Sequence, residues 1–161
     1  MYVFFLVDSS GSMLTDKQIS QIKGLVAATI ARYRTQRIRY AAVALTKGDA
    51  QLLSALTLDA DEVLDAIARL TTGGRTNLKA GFKLISQLLK TNMQQRSSLY
   101  IFTDGKINAG DTATPFEEAV SFYQRYLANI RTVEVVDSEN GIVKLGLAEK
   151  LERALKFRSR K

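Results

Sequence analysis

The sequence predicts an α/β fold: a doubly wound, mostly parallel central sheet with helices on both faces and one antiparallel edge strand. Three observations lead there. Short apolar runs of strand length alternate with longer segments whose apolar residues recur every three or four positions. Two of the runs, "IRYAAVAL" and "QLLSALT", are separated only by "KGDA", which permits an antiparallel pair but no parallel crossover. Helical segments separate the other runs and are long enough to cover both faces of a buried parallel sheet.

In chain order, residues 2–7 read as a fully buried strand. From Lys17 to Arg34 the apolar positions Ile19, Ile22, Leu25, Val26, Ile30 and Tyr33 mark one helix face. Residues 38–45 and 51–57 are the second and third strands. "DADEVLDAIARL" begins a helix, with Asp59 as N-cap and Glu62 completing a capping box. The loop "TTGGRTN" feeds a helix in "LKAGFKLISQLLK", where Leu78, Phe82, Ile85 and Leu89 recur. Residues 98–103 form the fourth strand. Thr114, Pro115 and Glu117 then supply N-cap, first-turn proline and capping box for the next helix. Residues 131–136 are the fifth strand, "ENG" turns the chain, and a last helix runs from Leu145 to Leu155.

The chain has 161 residues, 46% of them hydrophobic and 24% charged, a globular composition for one domain. No apolar run approaches the ~20 residues of a membrane span, and no signal-peptide pattern is visible. Cysteine and histidine are both absent. That removes disulfides, the usual zinc sites, Ser-His-Asp triads and cysteine nucleophiles, and a cytoplasmic location is expected. No G-x-x-x-x-G-K-[ST] loop offers an ATP site. The net charge is +7, and the C-terminal "KFRSRK" holds four of the cations, so residues 1–155 read as the domain and 156–161 as a basic tail. Arg32, Arg34, Arg37 and Arg39 form a second basic cluster. Nucleic acid is one reading of these charges; solvated surface and helix-end cations are the plainer one.

Two strands end in carboxylates. The first runs into Asp8, followed at alternate positions by Ser10 and Ser12, and the fourth runs into Asp104. In a doubly wound sheet both lie outside the carboxyl ends of the strands, where ligands bind. Neighbouring carboxylates repel unless a cation lies near them, and carboxylates with hydroxyls are hard ligands suited to Mg²⁺ or Mn²⁺. Alternatively, the serines and Thr76 serve as helix caps.

Asp8, Ser10 and Ser12 match the D-x-S-x-S motif of von Willebrand factor A (VWA) domains, Thr76 in "GGRTN" and Asp104 in "IFTDG" follow in the family's order, and the resemblance covers the whole chain. It implies a metal-ion-dependent adhesion site formed by Asp8, Ser10, Ser12, Thr76 and Asp104. Within the family, "TTGGRTNLKAG", "FTDGKIN" and "VVDSENGIVKLGLAEKL" resemble the D subunit of magnesium chelatase and its cobalt-chelatase relatives. Asn77 stands where those subunits usually have proline. Their ATPase-like module, their acidic proline-rich linker and the strand that follows the last helix have no counterpart in these residues, so the resemblance concerns the domain alone.

The resemblance implies a metal-dependent protein-interaction module in a chelatase-like or AAA+ ATPase-linked assembly. A partner's Asp or Glu would fill the open metal position, the partner being an ATPase or large chelatase subunit. Arg75 and Lys106 flank the expected rim and either attract that partner or are ordinary solvated charges. Catalysis by the chain alone is not expected, because Ser10 replaces the second aspartate of D-x-D phosphatases and no general base presents itself. An RNA-binding VWA domain and a small metal-dependent hydrolase are the alternatives; RNA is disfavoured because Phe157 is the lone aromatic in the tail. Removing Asp8 is expected to relieve carboxylate repulsion and leave stability unchanged or raised. Gly24 and Gly81 inside helices suggest close packing on the sheet, "KGD" a turn rather than an adhesion tripeptide, and Tyr100 and Tyr123 core residues.

Overall fold

A computed structural model describes residues 1–9, 16–70, 73–91, 95–137 and 146–157. Its elements are β1 (Tyr2–Asp8), α1 (Asp16–Arg32), β2 (Arg39–Thr46), β3 (Asp49–Thr57), α2 (Ala60–Ala68), α3 (Leu78–Leu89), β4 (Ser97–Thr103), α4 (Pro115–Tyr126), β5 (Thr132–Asp137) and α5 (Leu147–Lys156). Every expected element among the described residues is present, with ends shifted by a residue or two. The "ENG" turn and Leu145 fall among residues 138–145, outside the described part.

The sheet order is β3-β2-β1-β4-β5. β1 pairs in parallel with both β2 and β4, β4 in parallel with β5, and β3 antiparallel with β2. The chain leaves β1 toward β2 and β3, then crosses back to β4 on the other side. The strand order therefore reverses between β1 and β4, where both carboxyl ends face the same crevice. All seven residues of β1 are buried. Phe4 and Leu6 pack on the face covered by α3, α4 and α5 through Leu78, Phe82, Ala119, Tyr123 and Leu151. Val3, Phe5 and Val7 pack on the other face with Ile22 and Val26 of α1 and Val63 and Ile67 of α2. A strand apolar on both faces thus becomes the centre of the sheet.

Several local expectations are corrected. Asp59 caps α2 by accepting from the Asp61 N–H (3.0 Å), but the Asp59 N–H goes to Thr57 Oγ1 (3.0 Å), so Glu62 does not complete a box. Thr114 occupies the N-cap position of α4 without a side-chain cap bond. Glu118, not Glu117, folds back, accepting from the N–H groups of Asp111 and Thr112. Leu25 is 39% exposed, outside the apolar face assigned to it. Gly81 does permit close packing: an added Cβ would lie 2.7 Å from Leu45 Cδ2 and 2.9 Å from Leu6 Cδ1. Gly24 does not, because among the described residues nothing beyond its own helix backbone lies within 4 Å of its added Cβ.

These two helical glycines predict opposite outcomes. Gly81→Ala overpacks the sheet–helix contact and should lower unfolding stability by about 1–3 kcal/mol. Gly24→Ala, at an exposed helical position, should raise it by about 0.4–1 kcal/mol. Urea denaturation of the two variants checks both signs.

Candidate functional site at the carboxyl ends of β1 and β4

The apolar run of β1 delivers Asp8 to the end of the sheet with its side chain still 8% exposed. A carboxylate so buried requires donors. Two hydroxyls provide them. Thr76 Oγ1 lies 3.1 Å from both Asp8 carboxylate oxygens, and Thr103 Oγ1 donates to Asp8 Oδ2 at 2.8 Å. Thr76 and Thr103 are themselves buried. Each hydroxyl keeps lone pairs after donating its proton.

Thr76 is placed by three hydrogen bonds to its backbone. Its N–H donates to Asn108 Oδ1 (2.8 Å), and its carbonyl accepts from the N–H groups of Asn108 (3.2 Å) and Ala109 (3.0 Å). The two-residue turn between β2 and β3, Lys47 and Gly48, has φ of 54° and 74°, the left-handed pair that favours a tight hairpin; "KGD" is thus a turn. Its N–H groups donate to Gly73 O and Arg75 O, each at 2.9 Å. Gly74 makes this approach possible, since a Cβ there would fall 2.3 Å from Lys47 Cα. Asn77, not Thr76, caps α3: its Oδ1 accepts from the Ala80 N–H (3.1 Å) while its Nδ2 donates to Gly48 O (3.1 Å). Thr76 is therefore no helix cap; its hydroxyl turns to Asp8.

Asp104 follows Thr103 directly, half-buried, and its Oδ1 accepts from the Lys106 N–H at 2.9 Å in a local turn. Gly105 takes φ +85°, and its added Cβ would lie 2.4 Å from the Leu147 carbonyl carbon, so the Asp104 loop is pressed against the start of α5. Arg75 and Lys106 are both exposed beside these loops. Ser10 and Ser12 lie outside the described residues. Ser9, between them and Asp8, is buried, with its hydroxyl and N–H each 3.0 Å from Leu45 O. Among the described residues no three Asp or Glu side chains gather at metal-binding distance.

Thr103, Asn108 and Asp137 were missed from the sequence. Asp137 ends β5 in register with Thr103. Its signal was available: "VVD" repeats the strand-end pattern of "LVD" and "FTD". Thr103 is marked by register alone, as the residue after Phe102, which aligns with Val7 of β1.

Residues 3–106 match the von Willebrand factor type A domain. The chain belongs to that family. VWA domains are protein-interaction modules. An uncharacterized protein of Mycobacterium tuberculosis, Rv2850c, is 29% identical over 157 residues, which is 95% of this chain and 25% of that protein; the chain spans a quarter of the length of this relative. Among solved structures, the SpRpn10 VWA domain superposes with a TM-score of 0.69 at 15% identity, covering 97% of this chain and 82% of that one. The PilB minor pilin from Streptococcus sanguinis, as a D319A mutant, gives 0.75 at 13% identity over 96% and 54%. At such identities these structures speak for the VWA fold alone. No helix among the described residues is long and apolar enough to cross a membrane.

Two predictions follow from this geometry. Thr103→Val keeps the shape of the side chain but removes the donor to Asp8 and the acceptor of the Gly105 N–H (3.1 Å). It should lower stability by about 1–3 kcal/mol, measured by chemical denaturation. The second concerns the loop after Asn108. Burial alone would raise the Glu118 pKa, but hydrogen bonds from Lys79 and from Asp111 and Thr112 outweigh it and lower it from an ordinary 4.5 to about 2. A carboxylate depressed in the folded state contributes stability that is present above its unfolded pKa and lost as pH falls toward the folded value. The stability gap between wild type and Glu118→Gln should therefore be full above pH 4.5 and close as pH falls toward about 2, as read by urea unfolding across that range.

Proposed function

We propose that this VWA domain is a divalent-metal-dependent interaction module, in which Asp8, Ser10, Ser12, Thr76 and Asp104 hold Mg²⁺ or Mn²⁺ and an Asp or Glu of a partner protein completes the coordination. The observation that carries the reading is the buried Asp8 carboxylate with the Thr76 hydroxyl turned onto it. Thr76 comes from a loop 68 residues away in sequence, and α3 is capped by another residue. The donor set fits the group: carboxylates and hydroxyls are the hard oxygens these cations take. A bound cation with few anionic ligands would supply an electrophilic position for one further carboxylate. The chain's own part is to orient. Asn108 and Gly74 fix the Thr76 loop, Thr103 fixes the Asp8 carboxylate, and exposed Arg75 and Lys106 favour the approach of an acidic partner. The chelatase-like stretches quoted above support placing the module in a magnesium-chelatase-like or AAA+ ATPase-linked assembly.

The test uses the metal alone, then the partner. Saturating Mg²⁺ or Mn²⁺ should raise the melting temperature of the wild type by linkage, by the equivalent of about 2.7 kcal/mol at a hundredfold excess over Kd. Asp8→Asn keeps an acceptor for both threonines while removing the charge, so it should fold and lose the metal response. Asp8→Ala should instead be destabilised, because Thr76 and Thr103 lose their acceptor; this replaces the expectation of unchanged or raised stability drawn from repulsion alone. A wild-type melting temperature indifferent to both metals would falsify the site. Equal capture of a candidate ATPase or large chelatase subunit in Mg²⁺ and in EDTA would reject the metal bridge.

A further inference from the structure

The end of the sheet away from Asp8 carries a row of arginines. Arg39 of β2 aligns with Tyr2 of β1, and Tyr2 with Ser97 of β4. Backbone bonds join the strand entries into one row: Arg39 N to Met1 O (3.2 Å), Tyr2 N to Arg96 O (2.8 Å) and Arg131 N to Ser97 O (2.9 Å). With strands about 4.8 Å apart, Arg39, Arg96 and Arg131 line one edge, and Arg37 joins them from the loop entering β2. All four are exposed. Among the described residues none of them takes part in an ion pair. Arg37 and Arg39 also line a cavity of about 430 Å³ with Tyr2, Gln95 and Leu58. Arg37 and Leu58 continue into a second cavity of about 480 Å³ that includes Arg34.

We infer that this arginine edge is a second docking surface, independent of metal, for an acidic, extended protein segment that carries an apolar side chain. Arginine forks match carboxylates in planar, two-point contacts. Leu58, 49% exposed on the wall shared by the two cavities, supplies the apolar contact. A nucleic-acid strand fits less well. Base stacking needs exposed aromatic faces, yet Tyr2 and Tyr40 are buried at 7% and 6%, and the Tyr33 hydroxyl is bonded to that of Tyr100 at 2.6 Å. The patch is also short. β3 runs antiparallel and ends at this same edge, Thr57 opposite Tyr40, and exposed Asp59, Asp61 and Glu62 follow Leu58 at once. A continuous phosphate backbone would meet these acids, whereas a short peptide ends before them. If the Asp8 end also takes a carboxylate, the domain has two acid-binding ends, one set by a cation and one by arginines.

The test is fluorescence anisotropy of the full chain with a labelled peptide of about six glutamates ending in one leucine, beside a single-stranded RNA of equal charge, in metal-free buffer. The peptide should bind, more weakly at about 300 mM than at about 50 mM salt. Arg37→Glu with Arg39→Glu should weaken it about tenfold or more, and the neutral pair Arg37→Gln with Arg39→Gln by less. Replacing the peptide's leucine with serine should weaken it several-fold. The neutral pair carries the test if the reversed pair does not fold. Tighter binding of the RNA, a requirement for Mg²⁺, unchanged affinity in the substituted chains, or loss only on deletion of residues 158–161 would each overturn the inference.

Discussion

A carboxylate buried at the end of the central strand is the constraint on which the functional edge depends. Asp8 stands where seven buried residues of β1 run out, and leaving it without donors would cost several kcal/mol. The hydroxyls of Thr76 and Thr103 meet that requirement, and meeting it ties down loops distant in sequence. Thr76 is held by Asn108 from the loop after β4, and its own loop lies against the β2–β3 hairpin only because residue 74 has no Cβ. The Thr103 hydroxyl accepts from Gly105, which presses on the start of α5. One buried charge thus sets the positions of the connections after β2, before α3, after β4 and before α5.

The parallel sheet turns this local requirement into a global polarity. Parallel strands put all their carboxyl ends on one edge, so the strand-end aspartates Asp8, Asp104 and Asp137 gather there, and the strand-entry arginines Arg39, Arg96 and Arg131 gather at the other. The net charge of +7 is therefore not spread evenly over the two ends of the sheet. Hard anionic ligands suit a cation; exposed guanidinium groups suit carboxylates.

The β5 flank of the sheet is closed by polar contacts. β5 is an edge strand, and an open edge invites pairing with other chains. Glu152 of α5 accepts from the outward N–H of Val135 at 2.8 Å, and Gln124 of α4 donates to Ala154 O and Phe157 O at the end of α5. α5 is thereby held against both β5 and α4, and the first residues of the basic tail, Lys156 and Phe157, belong to its end. Lys156 pairs with Glu152 at 2.6 Å, so this cation is a helix-surface charge.

The sequence by itself determined the α/β class, the alternation of strands and helices, the antiparallel edge pair and the presence of two strand-end aspartates. Those follow from apolar periodicity and from connection length, which are local quantities. It also marked Thr76, though it left open whether that hydroxyl caps a helix or faces Asp8. Tertiary structure decided this, because Asn77 and Thr76 compete for the cap and only the neighbouring hairpin, bonded to the Asn77 amide, selects between them. It likewise decided that Thr103 shares Asp8, since strand adjacency and register are set by pairing across 95 residues of chain. The two helical glycines look alike in sequence, yet a Cβ added at one would meet Leu6 and Leu45, while among the described residues a Cβ added at the other meets nothing outside its own helix backbone within 4 Å. Helical periodicity tells that a face is buried, but what lies opposite each residue is fixed only when the sheet is assembled.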